Sequence, residues 1–317
     1  MSKNMSKLMK AAQINGFGDR SVIELNNIEI PTPGADEVLI KVKSAAVNPV
    51  DWKIREGYLQ GMLNHPLPLT LGWDVSGEVV ALGDKVTQFK IDDAVYSRPE
   101  ITKNGSFAEF MTVTATEVAL KPTSLTWQEA AGVPLAGLTA WQSLYEITKL
   151  QKGERVLIHA GSGAVGQFAI QLAKLRGAYV YTTTSARNIE LVLSLGADQA
   201  IDYHQEDFSE LRDLDIVFDT IGGDTLDNSW VTLKPRGRLV SVASLPSEEV
   251  AAKHNVNAFY CFVQPNSEQL TEIAKLADAG KFKVNIDSEF TLDQTSQAHE
   301  RSETGRAQGK IIVNVSA

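Results

Sequence analysis

At 317 residues the chain is too long for one average core, and its 43% hydrophobic content can fill two without disulfides or a structural metal. A net charge of −9 argues against a nucleic-acid or anionic-membrane surface, and a single cysteine, Cys261, excludes an intrachain disulfide and any Cys-pair metal site. No run approaches the roughly 20 apolar residues of a membrane span. Met1–Lys10 lacks the apolar segment of a signal peptide, so a cytoplasmic protein is expected.

The first third reads as short strands broken by turns. Glu37–Lys43 alternates Val38, Ile40 and Val42 with mostly polar neighbours, the period of a half-buried strand. Gly77–Val80, Ala94–Tyr96 and Phe107–Val113 are further strand-like pieces, punctuated by Pro31, Pro33, Gly34, Gly61, Gly72 and Gly83. These features predict a mostly β module, a small barrel.

From about Thr126 a helical run leads into alternating strands and helices. The predicted strands are Arg155–Ala160, Tyr179–Thr183, Ala200–Tyr203, Asp215–Asp219 and Arg238–Val242. Between the first two, Ala164–Arg176 places Val165, Phe168, Ala169, Leu172 and Leu175 on one helical face. Such alternation predicts an α/β domain with a parallel sheet covered on both faces. An amphipathic helix over Ser267–Ala279 and a strand over Lys310–Val315 close the chain.

Gly161-Ser162-Gly163-Ala164-Val165-Gly166 follows the apolar strand Val156–Ile158 and opens the amphipathic helix. In that context the glycine pattern has a physical meaning: a tight turn, backbone close enough to touch a pyrophosphate, and a helix N-terminus with free N–H donors. An NAD site carries an acid about 20 residues on, at the end of the second strand. Here the matching stretch, Tyr181–Arg187, contains Thr184, Ser185 and Arg187 and no acid. Hydroxyls and a guanidinium suit a 2′-phosphate, so NADPH is the expected cofactor, with Tyr203 as an added phenol donor.

These residues also carry a family resemblance from about Lys10 to Val315. Ala45–Lys53, Gly72–Val80, Gly105–Glu109, Leu135–Ala140, the glycine loop, Leu195–Asp198, Phe218–Gly223 and Gly309–Val313 follow one another at the spacing of the quinone oxidoreductase branch of the medium-chain dehydrogenase/reductase superfamily. The resemblance implies a Rossmann domain, residues 131–264, inserted into a GroES-like barrel formed by 1–130 and 265–317, with the active site in the cleft between them. It also implies a homo-oligomer, a dimer or tetramer. Zinc-bearing relatives place a Cys ahead of Asp in the stretch matching Asn48–Asp51, and His-Glu where this chain has Trp73-Asp74. Those ligand types are missing here and the five histidines show no ligand spacing, so zinc-independent chemistry is expected.

Without a Lewis acid the suitable acceptors are small molecules that hold negative charge themselves after accepting hydride, namely quinones and α,β-unsaturated carbonyls. The resemblance puts Asn48 and Thr139 beside the nicotinamide and its ribose, Thr220 and Ala243 along the cofactor, and the backbone near Phe262 and Val263 at the carboxamide. Lys53 and Tyr58 are the candidates for proton delivery or acceptor orientation; some relatives carry Tyr where Lys53 stands. Asp51 and Arg55 read as a structural charge pair or cap. Competing readings are an enoyl-thioester reductase, and a non-catalytic NADPH-binding protein.

Overall fold

The computed structural model describes residues 8–316 and divides into two compact units. The first holds the chain up to Leu135, Gln264–Gly280 and the chain from Val284; the second holds Ala136–Val263 and Lys281–Lys283.

The first unit begins with β1 (Leu8–Ile14), β2 (Ile23–Glu29) and β3 (Glu37–Val47), followed by the helix α1 (Pro49–Arg55). Then come β4 (Leu69–Thr70), β5 (Val75–Leu82), β6 (Ala94–Ser97), β7 (Phe110–Thr114), β8 (Val118–Leu120) and α2 (Trp127–Ala131). The alternation of β3 buries Val38, Ile40 and Val42 against Val75, Val79, Val95, Met111 and Val113, which makes the barrel core. The last part of β3, Ala45–Val47, is buried on both faces, and α2 packs against this strand.

A short helix α3 (Pro134–Trp141) leads into the second unit. Its parallel sheet is built from β9 (Arg155–Ile158), β10 (Tyr179–Thr184), β11 (Gln199–Asp202), β12 (Leu214–Asp219), β13 (Leu233–Ser241) and β14 (Asn257–Tyr260). The strand order is β11-β10-β9-β12-β13-β14, so the chain reverses direction across the sheet beside β9. This is the doubly wound Rossmann arrangement, whose switch point takes dinucleotides. The connecting helices are α4 (Ala164–Leu175), α5 (Ile189–Ser194), α6 (Gly223–Ser229) and α7 (Glu248–His254). One core cluster joins Leu157, Tyr181, Val217, Leu239 and Trp230. Phe282, on the three-residue return, stacks on Phe168 of α4 with centroids 4.7 Å apart.

The chain re-enters the first unit with α8 (Ser267–Asp278), β15 (Ile286–Thr291), α9 (Thr295–Glu303) and β16 (Lys310–Asn314). β16 pairs antiparallel with β3, with Ile311 opposite Val47, and the large sheet runs β15-β16-β3-β5-β6-β8, with β7 also on β3. That register sets Lys310 one step beyond the pair, beside Asn48. Across β3, Val75 of β5 faces Ala45, which brings Asp74 to the same place.

Candidate functional site: a dinucleotide turn and a buried ionic network

The turn between β9 and α4 is shaped by close approach. A Cβ on Gly161 would lie 2.0 Å from Thr182 Oγ1, and one on Gly166 would lie 2.3 Å from the Ala160 carbonyl oxygen. The left-handed residue is Ala160, with φ +52°, so the tight turn sits one position ahead of the glycine expected to make it. Gly163 is different: a Cβ there would meet only the Ala160 carbonyl, at 3.3 Å, so its bareness faces outward. Gly163 is the N-cap of α4 and no side chain caps the helix. The N–H groups of Ala164, Val165 and Gly166 occupy the first helical positions, where no intrahelical acceptor exists.

A neutral hydrogen-bond chain holds this turn. The Ala160 N–H donates to Thr183 Oγ1 at 3.1 Å, and Thr183 Oγ1 lies 3.1 Å from His159 Nδ1. On the other side of the ring, His159 Nε2 is 2.9 Å from Ser229 Oγ, which donates to the Thr225 carbonyl at 2.6 Å. Every donor is satisfied in one direction only if His159 carries its proton on Nε2. Burial lowers the pKa of His159 to about 4, so the ring stays neutral at ordinary pH.

At the end of β10, Ser162 Oγ accepts from Asn188 Nδ2 at 2.9 Å and from Thr184 Oγ1 at 3.1 Å, while Asn188 also reaches Ser185 Oγ at 3.2 Å. Both lone pairs of Ser162 Oγ are thereby used, leaving its own O–H to donate. Arg187 is exposed at this end, and Tyr203, just past β11, is 55% exposed. Asn188 and Asp202 were not anticipated. Asp202 faces Thr184 in the strand register and accepts the His204 N–H, so an acid does stand near this end, one strand further over than the position that marks NAD sites.

At the opposite side of β9, Asp219 organises the loop after β12. Its Oδ1 accepts the N–H groups of Ile221 and Gly222, each at 3.0 Å, and its Oδ2 accepts Ser241 Oγ at 2.6 Å. Ser241 Oγ in turn receives the Ala243 N–H at 3.2 Å, and Thr220 Oγ1 donates to the His159 carbonyl at 2.9 Å. Thr139 is buried in α3, and Phe262 and Val263 are half-buried after β14. Cys261 is a buried thiol whose pKa burial raises.

In the first unit Asn48 is 3% exposed, and both ends of its amide are held. Nδ2 donates to Asp74 Oδ2 at 2.8 Å, and Oδ1 accepts from Lys310 Nζ at 2.6 Å. Lys310 also reaches Asp74 Oδ2 at 2.8 Å, and Asp74 Oδ1 takes the Leu135 N–H at 2.6 Å. Burial raises the pKa of Asp74 against the pull of Lys310 and these donors. Asp51 caps α1 by accepting the Asn48 N–H at 2.6 Å. Burial pushes Asp51 up to about 8, and Oδ1 has no partner.

The cap half of the Asp51–Arg55 expectation is what the structure shows; the pair half is corrected. Arg55 turns to Glu303 and Glu56 because α9 packs across α1. Lys53 lies 5.7 Å over the Trp52 ring, and Tyr58 is 68% exposed with its ring edge-on to Trp52. A hydrogen bond with Glu56 raises the Tyr58 pKa. Among the described residues no three His, Cys, Asp or Glu side chains are grouped to hold a metal, and no helix is long and apolar enough to cross a membrane.

A parallel sheet with a glycine-shaped turn at its switch point, and a β-rich unit to which the last strands return, define a nicotinamide-dependent oxidoreductase of two-domain build. The chain belongs to the medium-chain dehydrogenase/reductase superfamily, in its quinone oxidoreductase family. Residues 34–123 match the alcohol dehydrogenase GroES-like domain, and residues 195–313 match the family described as zinc-binding dehydrogenase. A chloroplast envelope quinone oxidoreductase homolog of Arabidopsis thaliana is 35% identical over 97% of this chain and 98% of its own. A 2-methylene-furan-3-one reductase of Solanum lycopersicum is 36% identical over 96% of this chain and 79% of its own. Among solved structures, the quinone oxidoreductase of Coxiella burnetii superposes with TM-score 0.90 at 37% identity, covering 98% of this chain and 100% of its own. The Escherichia coli quinone oxidoreductase complexed with NADPH superposes at 0.88 with 25% identity, covering 96% and 99%. The chain is thus an NAD(P)H-dependent oxidoreductase with a small-molecule substrate.

Proposed function

We propose that the protein is an NADPH-dependent, zinc-independent reductase of quinones or α,β-unsaturated carbonyls. The observation that carries this reading is the uncapped start of α4 beside the Ser162–Thr184–Asn188 cluster and Arg187. The donor set fits a dinucleotide with a 2′-phosphate: helix N–H groups and an outward Gly163 for the pyrophosphate, and hydroxyl, amide and guanidinium donors for the third phosphate. Bound NADPH would supply a hydride. Thr220, Ala243, Phe262, Val263 and Thr139 would hold its nicotinamide half.

Asn48 keeps one amide N–H after Asp74 takes the other, and it would present it in a fixed orientation. Lys53 and Tyr58 would orient the acceptor or deliver a proton. In place of a metal ligand set, the Asn48–Asp74 position holds the ammonium of Lys310. The domain assignment goes with these roles: 131–264 for the nucleotide, 1–130 with 265–317 for the acceptor. A cytoplasmic dimer or tetramer belongs to the same reading.

Asp202 favours a second reading, in which NADH is the better cofactor. Following NADPH and NADH absorbance across quinones, short enones and an enoyl-coenzyme A separates these. Faster NADPH oxidation with a quinone or enone is expected; preference for NADH, or turnover of the thioester alone, would overturn the proposal.

A further inference from the structure

Two arginines are among the largest fully buried side chains, both in the first unit, and they are treated in opposite ways. Arg55 spends its whole guanidinium: Nε donates to the Gly18 carbonyl at 3.1 Å, Nη1 to Glu303 at 2.7 Å, and Nη2 to Glu56. Arg98, directly after β6, is 2% exposed, yet among the described residues its guanidinium has no hydrogen-bond acceptor and no ion pair, and Nε is enclosed without a partner.

The acids whose charges act on Arg98 are Glu100, Asp74 and Glu117, and all three hydrogen-bond to other groups. Asp74 serves Lys310, Asn48 and Leu135; Glu117 Oε2 takes the Glu100 N–H at 2.9 Å; Glu100 Oε1 takes the Thr102 N–H at 3.2 Å. A guanidinium withdrawn from water and left unpaired is costly, and a ligand oxygen that paired with it would offset that cost. Its place suits such a use. The pairing of Val75 with Ser97, carried one step on, sets Arg98 across from Asp74, and so beside the network that orients Asn48.

We infer that Arg98 binds the acceptor, its planar N–H fork taking an oxygen that carries or gains negative charge. This rests on the proposed role of the first unit in holding the acceptor. When a conjugated carbonyl accepts a hydride at carbon, the displaced π pair moves to the carbonyl oxygen, giving an enolate or quinolate that later takes a proton, from Lys53, Tyr58 or solvent. A carboxylate carried by the acceptor offers the same chemistry without reaction. Both match the bidentate geometry of arginine.

The test compares wild type with Arg98→Met and Arg98→Lys in three arms: steady-state kinetics with a neutral enone, with a carboxylate-bearing enone, and thermal shift by benzoate without cofactor. Arg98→Met is expected to melt no lower than wild type, since it removes an unpaired charge, and to lose stabilisation by benzoate. Its kcat/KM should fall about 100-fold, the usual cost of an oxyanion donor, with Arg98→Lys between. A fall in kcat for both enones assigns the oxygen that gains charge; a rise in KM for the carboxylate substrate alone assigns the carboxylate. Unchanged kinetics together with a benzoate response equal to wild type overturns the inference. So does a destabilised Arg98→Met whose activity falls only with its folded fraction. If wild type leaves NADPH unoxidised with every quinone and enone, the proposed function fails, while the benzoate arm still decides on Arg98.

Discussion

The turn ahead of α4 and the pocket of charges around Asn48 are both buried polar networks, but they are finished to different degrees. Around His159 every donor meets an acceptor and the hydrogen-bonding groups themselves are uncharged, so the turn is held at little electrostatic cost. Around Asn48 two carboxyl groups, an ammonium and a guanidinium are withdrawn from water, and Asp51 Oδ1 and Arg98 Nε remain unmatched. The contrast is in keeping with the proposed roles, in which the second unit holds a nucleotide and the first handles the acceptor.

The comparison breaks most visibly at Lys310. Replacing it with Met leaves Asp74 buried without its cation, a loss of about 3–5 kcal/mol in a denaturant titration. Adding Asp74→Leu should recover most of it, because the penalty lies in the orphaned charge. A double variant no more stable than Lys310→Met would show that the network is not organised around this pair.

The two networks should next differ in the sign of their pH dependence. Asp51 has a folded pKa of about 8, above its unfolded value, so the native state holds the extra proton between about 4 and 8. Stability from this group therefore falls as pH rises through that window, by at most about 1.4 kcal/mol per pH unit. His159, lowered to about 4, acts oppositely: its stability is lost as pH falls below about 6.5. Asp51→Asn should remove the fall between about pH 4 and 8 and be more stable than wild type at pH 8, while His159→Gln should lessen only the loss below about pH 6.5. If Asp51→Asn left the fall between about pH 4 and 8 unchanged, Asp51 would be ionised in the native protein.

The contrast also explains what could be read before the fold was seen. The glycine turn was legible because its parts are contiguous, from Val156 to Leu175, and strand, glycine spacing and helix all agree. The alternation of β3 was equally local. Lys310 was not legible as a site residue: its partner Asn48 is 262 positions away, and only the β3–β16 register joins them. Arg98 looks like any charge after a short strand until its burial is known. Asn188 needed the turn after Ser185 to fold back on Ser162, and the left-handed Ala160 is hidden because glycine, not alanine, is expected at such a φ. The hairpin strand β2, IELNNIE, has no buried position to reveal it.

A smaller effect sharpens the nucleotide side. Arg187→Ala should weaken NADPH binding about tenfold, roughly 1.4 kcal/mol, and leave NADH unchanged, because an exposed guanidinium acts only on the extra phosphate. Equal losses for both cofactors would assign Arg187 to the fold instead.

The most direct measurement is a fluorescence titration of wild type and Gly166→Val with NADPH and NADH. A side chain at position 166 would collide with the Ala160 carbonyl that shapes the turn. The expected result is saturable NADPH binding at least tenfold tighter than NADH, abolished in the variant while its circular dichroism stays native. Tight NADPH binding that survives in Gly166→Val would place the nucleotide somewhere other than the start of α4.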